Sequence, residues 1–425
     1  MPRTIPFASI ALAAILALPA IAAPDKPAVP SRPDAPVPND DAERGGPVLN
    51  MNTQVFYATL QAAIDDASPN DNLSVTNTTL NEVDVLVDKP LTIIGQGNGG
   101  LGVSILDPNS AGRCMTISHT GPVRIIGMMF RNGRVDNDDG AGVRVDDSTV
   151  SFEGCIFLQC HAFNGLAGAL FPFGGSSVTL DACNFLQNSA TQYALMWGPG
   201  GVGVTMTNCQ ISDNGALDEG VGELVFMQNE SQLHLINCTL ARNGFGDDPG
   251  QYLLGADGPP TYIEADNCII WGNQGAPFAA PNATASRCIL QGDPPPNAFD
   301  NIDADPMFRD FDNFDFRLAP GSPAIDAAYA FYLAEYDPVT QIVTSYRTSD
   351  AFNEFRYFDD PRTPDTGAGA GVVAGNSALP NLAIPDIGAH EFHGGECAAD
   401  LALPFGVLDF SDVFQFLVDF GAGCP

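Results

Sequence analysis

The chain has 425 residues, of which 17 are basic and 51 acidic, giving a formal charge of −34 at pH 7. That balance excludes nucleic acid as a partner, since phosphate contacts need a basic stripe that the sequence lacks. It also disfavours polyanionic glycans as ligands unless calcium bridges them.

In chain order, "MPRTIPFASIALAAILALPAIAA" has Arg3, an apolar stretch from Ile10 and small residues Ala20 and Ala22 before a cleavage point. This reads as a secretory signal peptide over 1–22, too short and wrongly flanked for a membrane span. No membrane span is expected once it is cleaved. Residues 23–50 are Pro-rich and charged, and read as a flexible leader. "YATLQAAIDDA" at 57–67 places Leu60, Ala63, Ile64 and Ala67 on one stripe of an amphipathic helix.

The middle of the chain repeats. Around Cys155, Cys183, Cys209, Cys238 and Cys268, apolar residues alternate up to the third residue before the cysteine and again from the cysteine onward, as in Val204, Met206, Cys209 and Ile211. Period-two alternation marks a strand with one buried face, and a slip of one residue would turn every later apolar side chain outward. A corner at 207–208, and at matching pairs elsewhere, keeps Met206 and Cys209 both inward. Five residues past the cysteine stand Asn188, Asn214, Asn243 and Asn273, with Cys160 and Asp293 in deviant copies. A third apolar run precedes each copy, for example "GVRV" at 142–145 and "ALMW" at 194–197. Three strands per turn, stacked on their equivalents about 4.8 Å away, predict an all-β parallel β-helix over 51–292. The asparagines are expected to form an amide ladder. The cysteines are expected to form an inward row of free thiols, small and apolar, in preference to disulfides between coils.

Beyond Cys288 the repeat fades, and 293–392 reads as a closing region whose acids accept backbone donors, interrupted by an insertion at 329–383. The last segment, 393–425, is too small to be stable alone. Val413, Phe414, Phe416, Leu417 and Phe420 give it an apolar helical face, and Cys397 and Cys424 at its ends are expected to form a disulfide in a secreted chain.

These features resemble known families. The coil pattern and the helix at 57–67 resemble right-handed parallel β-helix proteins of the pectin-lyase-like group, in which such a helix caps the first coil. "DADPMF", "LAPGSPAIDAA" and "IPDIGAHEF" are similar to the choice-of-anchor Q family, with Asp305, Pro306, Phe308, Gly321, Ser322, Pro323, Asp326, Asp386, Gly388 and Glu391 matching its motifs. The tail resembles the GC-type dockerin of planctomycete proteins, which implies an attachment element and a cohesin-like docking receptor on a cell surface. Dockerin loops hold calcium in an EF-hand-like series. With Gly406 at the turn, Asp409 and Asp412 fall on ligand positions, but Asp400 lies one residue early, and a metal-free, disulfide-clasped helix is the favoured alternative.

The resemblance also implies where catalysis would lie. Lyases of this group pair calcium-binding acids with an Arg or Lys base. The dense candidate is "RNGRVDNDDGAGVRVDD", in which Asp136, Asp138, Asp139, Asp146 and Asp147 are candidate calcium ligands and Arg131, Arg134 and Arg144 candidate bases. The same Asp, Asn and Gly residues serve any inter-strand loop. The polygalacturonase-type Gly-His-Gly and Arg-Ile-Lys are missing. Trp197 and Trp271, with Phe171 and Phe226, are candidates for a sugar-stacking stripe, against stacking between coils as the ordinary use. The expectation is a secreted, surface-attached module that binds extracellular polysaccharide or has a structural role. The alternative is a polysaccharide lyase or glycosidase on the same fold.

Overall fold

A computed structural model describes residues 45–96, 103–216, 222–244, 252–279, 282–336, 343–346, 350–351, 364–367 and 384–392. The expected signal peptide, the leader up to residue 44 and the whole tail lie outside these residues. So do Cys397, Asp400, Asp409, Asp412 and Cys424.

The described chain winds into a parallel β-solenoid. One coil runs through Leu170–Phe173, Ser177–Asp181, Asn184–Leu186 and Ser189–Gln192, and the next through Met196–Pro199, Gly203–Thr207, Gln210–Ser212 and Gly215–Ala216. Stacked coil on coil, these strands build sheets of eight, twelve, nine and four strands respectively. The four-stranded sheet is an addition to the expected three strands per coil. It exists only where the polar turn after the asparagine position extends far enough to pair with its neighbours, as His161–Leu166 does with Ser189–Gln192.

The recurring slip in alternation has a one-residue cause. Thr207 still belongs to its strand, and the corner is Asn208 alone, at φ 55°. A single left-handed residue between two extended ones bends the chain and restores the inward phase. The residue before each ladder cysteine does the same: Gly154, Ala182, Asn237 and Asn267 all have positive φ. A second left-handed residue precedes the asparagine position, at Gln159, Gln187, Asp213, Arg242 and Gly272. Asn and Asp tolerate this region, whereas a left-handed alanine costs roughly 1–2 kcal/mol.

The interior is lined in rows. Cys155, Cys183, Cys209, Cys238, Cys268 and Cys288 are all fully buried free thiols. Their Sγ atoms donate to carbonyls, as Cys209 does to Thr207 O at 3.3 Å. Phe130, Phe157 and Phe185 stack with centroid separations of 5.1 and 4.6 Å. The asparagines form a continuous chain: Asn188 Nδ2 donates to Asn214 Oδ1 at 2.9 Å, Asn214 to Asn243 at 3.0 Å, and Asn243 to Asn273 at 2.9 Å. Each Oδ1 also accepts the backbone N–H of the preceding asparagine, as from Asn188 N to Asn214 Oδ1 at 3.0 Å.

Helix α1 (Leu60–Asp66) covers the first coil with buried Leu60, Ala63 and Ile64. It starts at Leu60, the first residue of the apolar stripe and three residues into the expected span 57–67, because Val55–Tyr57 is a strand and Thr59 is the N-cap. The Glu82 carboxylate accepts from Leu60 N and Gln61 N, and Lys89 Nζ reaches Ile64 O at the other end. These charges complement the free groups and dipole at each helix end.

The described part of the closing region packs against the side of the solenoid. Its Leu318, Ile325, Ile387 and Phe392 pack on Ile269 and Ile289, with Trp271, Ile302 and Phe308 against the same cluster. Residues 386–390 then run back over earlier coils: Gly388 N donates to Asn267 O, Asn237 Nδ2 to Asp386 O, and Ala389 N to Thr239 Oγ1, while His390 meets Gln210. Buried acids fix this strap. Asp386 accepts from Asp326 N and Phe392 N, Glu391 from Asp386 N, and Asp350 from Glu391 N.

Two stability outcomes follow from the corners and the ladder. Asn214→Ala leaves the Asn188 N–H and amide without their buried acceptor, and denaturant titration should show a loss of about 2–4 kcal/mol. Ala182→Asn places at the strained corner the residue type found at 208, 237 and 267, and its melting temperature should rise.

Candidate functional site

The outer face of the eight-stranded sheet carries the densest set of interacting outward side chains that the sequence motifs point to. In-register stacking puts Leu86, Thr116, Arg144 and Phe171 in one line, and Trp197, Phe226 and Gly255 in its continuation. The Arg144 guanidinium stands 4.7 Å from the Phe173 centroid and 5.7 Å from that of Phe171. Phe171 stacks on Trp197 at 5.4 Å, and Tyr193 lies between Trp197 and Phe226 at 6.1 and 5.0 Å.

At the sheet's margin Arg113, itself buried, organises the acids. Its Nε donates to Gly140 O, and its Nη2 to Asp138 Oδ2 at 2.7 Å and to Asp139 O at 2.9 Å. Arg144 Nη1 approaches Asp138 Oδ1 at 3.6 Å, and Arg113 Nη1 approaches Asp84 at 3.5 Å. The neighbouring carboxyls are pushed in opposite directions. Partial burial works against the ionised form of Asp138, but the Asp139 N–H and Arg113 outweigh it and hold its pKa below the ordinary value. Burial raises that of Asp139, although its carboxylate accepts from Leu166 N at 2.7 Å.

The cluster expected over 131–147 is therefore divided. Arg131 is turned away and pairs with Asp107 at 2.8 Å. Arg134 pairs with Asp136 at 3.2 Å and covers Phe163 at 4.2 Å on the four-stranded sheet. Asp138, Asp139 and Arg144 come together, while Asp146 and Asp147 lie at the opposite end of strand Val143–Asp146. The five acids do not converge on a calcium site: among the described residues no group of three or more His, Cys, Asp or Glu is placed to hold a metal ion. The solenoid corners cause the dispersal, since each turns a few consecutive residues to a different sheet.

Both candidate tryptophans pack against other residues of the fold, which is their expected ordinary use. Trp197 uses its faces on Phe171 and Tyr193, and Trp271 packs against the cluster under the closing region. Coil-to-coil stacking occupies ring faces, with Phe171 buried and Trp197 and Phe226 half-buried.

Glu223 was not singled out by the sequence. It sits against Phe226 and over Gly255, where an added Cβ would meet its carboxyl at 2.5 Å. Desolvation raises its pKa to about 7. The signal was a lone acid opening the apolar run "ELVF". Arg113 was likewise missed, hidden beside Cys114 in a corner.

The repeated strands and corners define the class: the chain is a right-handed β-helix protein. Residues 96–286 match the family described as "right handed beta helix region". No curated protein matches the sequence. Among the described residues no helix is long and apolar enough to cross a membrane.

The Glu223 carboxyl binds its proton more tightly in the folded chain than in the unfolded one. Its contribution to stability is complete below the unfolded pKa near 4.5 and is lost as pH rises through about 7. Melting temperatures measured from pH 4.5 to 7.5 should fall more steeply for the native chain than for Glu223→Gln.

Proposed function

We propose that this chain is an extracellular, surface-attached module that binds polysaccharide along the outer face of its eight-stranded sheet. The observation that carries the reading is the row of Arg144, Trp197 and Phe226, on different coils of one sheet with buried Phe171 between Arg144 and Trp197, flanked by Asp138 and Glu223. An extended polymer can engage a surface whose chemistry recurs at the coil spacing of about 4.8 Å, and aromatic edges with fixed polar neighbours suit a sugar's alternating apolar and hydroxyl surface. Burial raises the Glu223 pKa to about 7, so in its protonated fraction the carboxyl adds a donor where an ordinary ionised acid would only accept.

The oppositely shifted Asp138 and Asp139 are the feature that favours a hydrolytic reading. Both side chains already serve the scaffold, one paired to Arg113 and the other accepting from Leu166 N. Binding is therefore the reading supported best. Secretion rests on the signal-like first 22 residues, and attachment on the similarity of 293–392 to the choice-of-anchor Q family and of 393–425 to dockerins.

A glycan array followed by calorimetry on the best neutral ligand tests the binding. Arg144→Gln should weaken it about tenfold, the scale of one charge-assisted hydrogen bond. An unchanged affinity, or binding to no glycan, overturns the assignment. Release of new reducing ends or unsaturated products, abolished in Asp138→Ala, would replace it with the catalytic alternative.

The tail has its own test. The chain has ten cysteines, and eight are free and buried in the solenoid. If Cys397 and Cys424 are bridged, thiol titration of the secreted protein in denaturant should count eight groups before reduction and ten after.

A further inference from the structure

We propose that the polysaccharide recognised by this face carries free amino groups, one of which is held by Glu223 at the end of the aromatic row. The inference rests on the polysaccharide reading above and names the class of sugar. Phe173, Phe171, Trp197, Tyr193 and Phe226 form one pile of near-parallel rings, with successive planes 10° to 28° apart. Arg144 closes one end of the pile, over Phe173. At the other end Gly255 follows Phe226 in register and adds no side chain, and the Glu223 carboxyl and the Phe226 edge converge above it.

Elsewhere the molecule shows what such a pair of groups holds. Arg134 lies over Phe163 and pairs with Asp136, Arg144 over Phe173 with Asp138, Arg242 over Phe314 with Asp213, and Arg287 over Tyr329 with Asp300. In each case one cation is shared between a ring and a carboxylate. Glu223 with Tyr193 and Phe226 supplies the same two partners, and among the described residues no cation joins them. Burial alone raises the Glu223 pKa to about 7, with no neighbouring positive charge to offset it. No Lys or Arg occurs in the sequence from 145 to 241. Arg144 stands three coil steps from Phe226, roughly 14 Å at the usual strand spacing, which exceeds the screening length of about 8 Å at physiological salt.

An ammonium group above Gly255 would meet the carboxylate and the aromatic rings together. One proton serves the pair, since an amine and a protonated carboxyl become an ammonium and a carboxylate without taking up another. An amino sugar brings that group on a ring whose apolar surface can lie along half-buried aromatic side chains. A chain at −34 attracts a cationic polymer over distances at which it repels an anionic one.

Calorimetry on the full chain tests this with three oligomers of equal length: β-linked glucosamine, its fully N-acetylated form, and glucose. The glucosamine oligomer should bind roughly tenfold tighter than the other two, the scale of one charge-assisted hydrogen bond, and added salt should narrow the gap. In Glu223→Gln the preference should vanish with circular dichroism unchanged. Arg144→Gln should weaken all three alike and keep the ratio between them. Equal affinity for the three, or a preference that survives Glu223→Gln, overturns this inference and leaves the polysaccharide reading standing. Binding to none of them and to no other glycan overturns both. Binding of a lysine oligomer without any amino glycan would assign the site to a basic peptide and overturn it as well.

Discussion

The left-handed corner residue is the constraint on which this molecule depends. A strand buried on one face has a two-residue phase, and a coil must turn without losing it. One residue at positive φ between extended neighbours changes direction and shifts the phase by one, so Met206 and Cys209 both reach the interior across Asn208. Two such residues per coil, in the same place in successive coils, bring side chains of one kind into rows. The thiol row, the phenylalanine stack and the amide ladder all follow from that alignment.

Alignment also decides what the interior can contain. A buried asparagine is costly unless its amide is satisfied on both sides. In this chain each ladder amide accepts from the coil before and donates to the coil after, and Asn214 Nδ2 further reaches Phe185 O and Ser212 O. The ladder is thus cheap in the middle and incomplete at its ends, where Cys160 has no side-chain amide to add to the row and its backbone N–H donates to Asn188 Oδ1. The same logic explains thiols as the companions of the corner. Sulfur fills a small apolar space and donates weakly to the carbonyls that a bend leaves exposed inside.

The β-helix was legible because its determinants are local and repeated. Alternation, the slip before each cysteine and the asparagine five residues on are visible in the chain without any long-range information. The outer site was legible only in part. Arg144 and Asp138 are close in sequence and meet in space, whereas Arg113, 25 residues before Asp138, joins them only because the coils stack. Glu223 takes its character from Phe226 and the bare backbone of Gly255 in the next coil. The closing region's lateral course depends on contacts such as Asn237 with Asp386, 149 residues apart, which no spacing rule encodes.

A rigid stack also settles how an outer face of this kind can recognise anything. Strands on the solenoid have no freedom to close around a ligand, so affinity has to come from groups already in position. Arg144 is held by Phe171, Phe173 and Asp138, and Asp138 in turn by Arg113, whose own guanidinium is buried against Gly140 O and Asp139 O. Each outward group is therefore fixed by another on a neighbouring coil, and the ordering entropy is spent when the chain folds, before any ligand arrives. In a chain this acidic, a cation pinned over aromatic rings opposes the negative field of that face, and a carboxyl whose pKa burial raises to about 7 adds less to it than an ordinary acid.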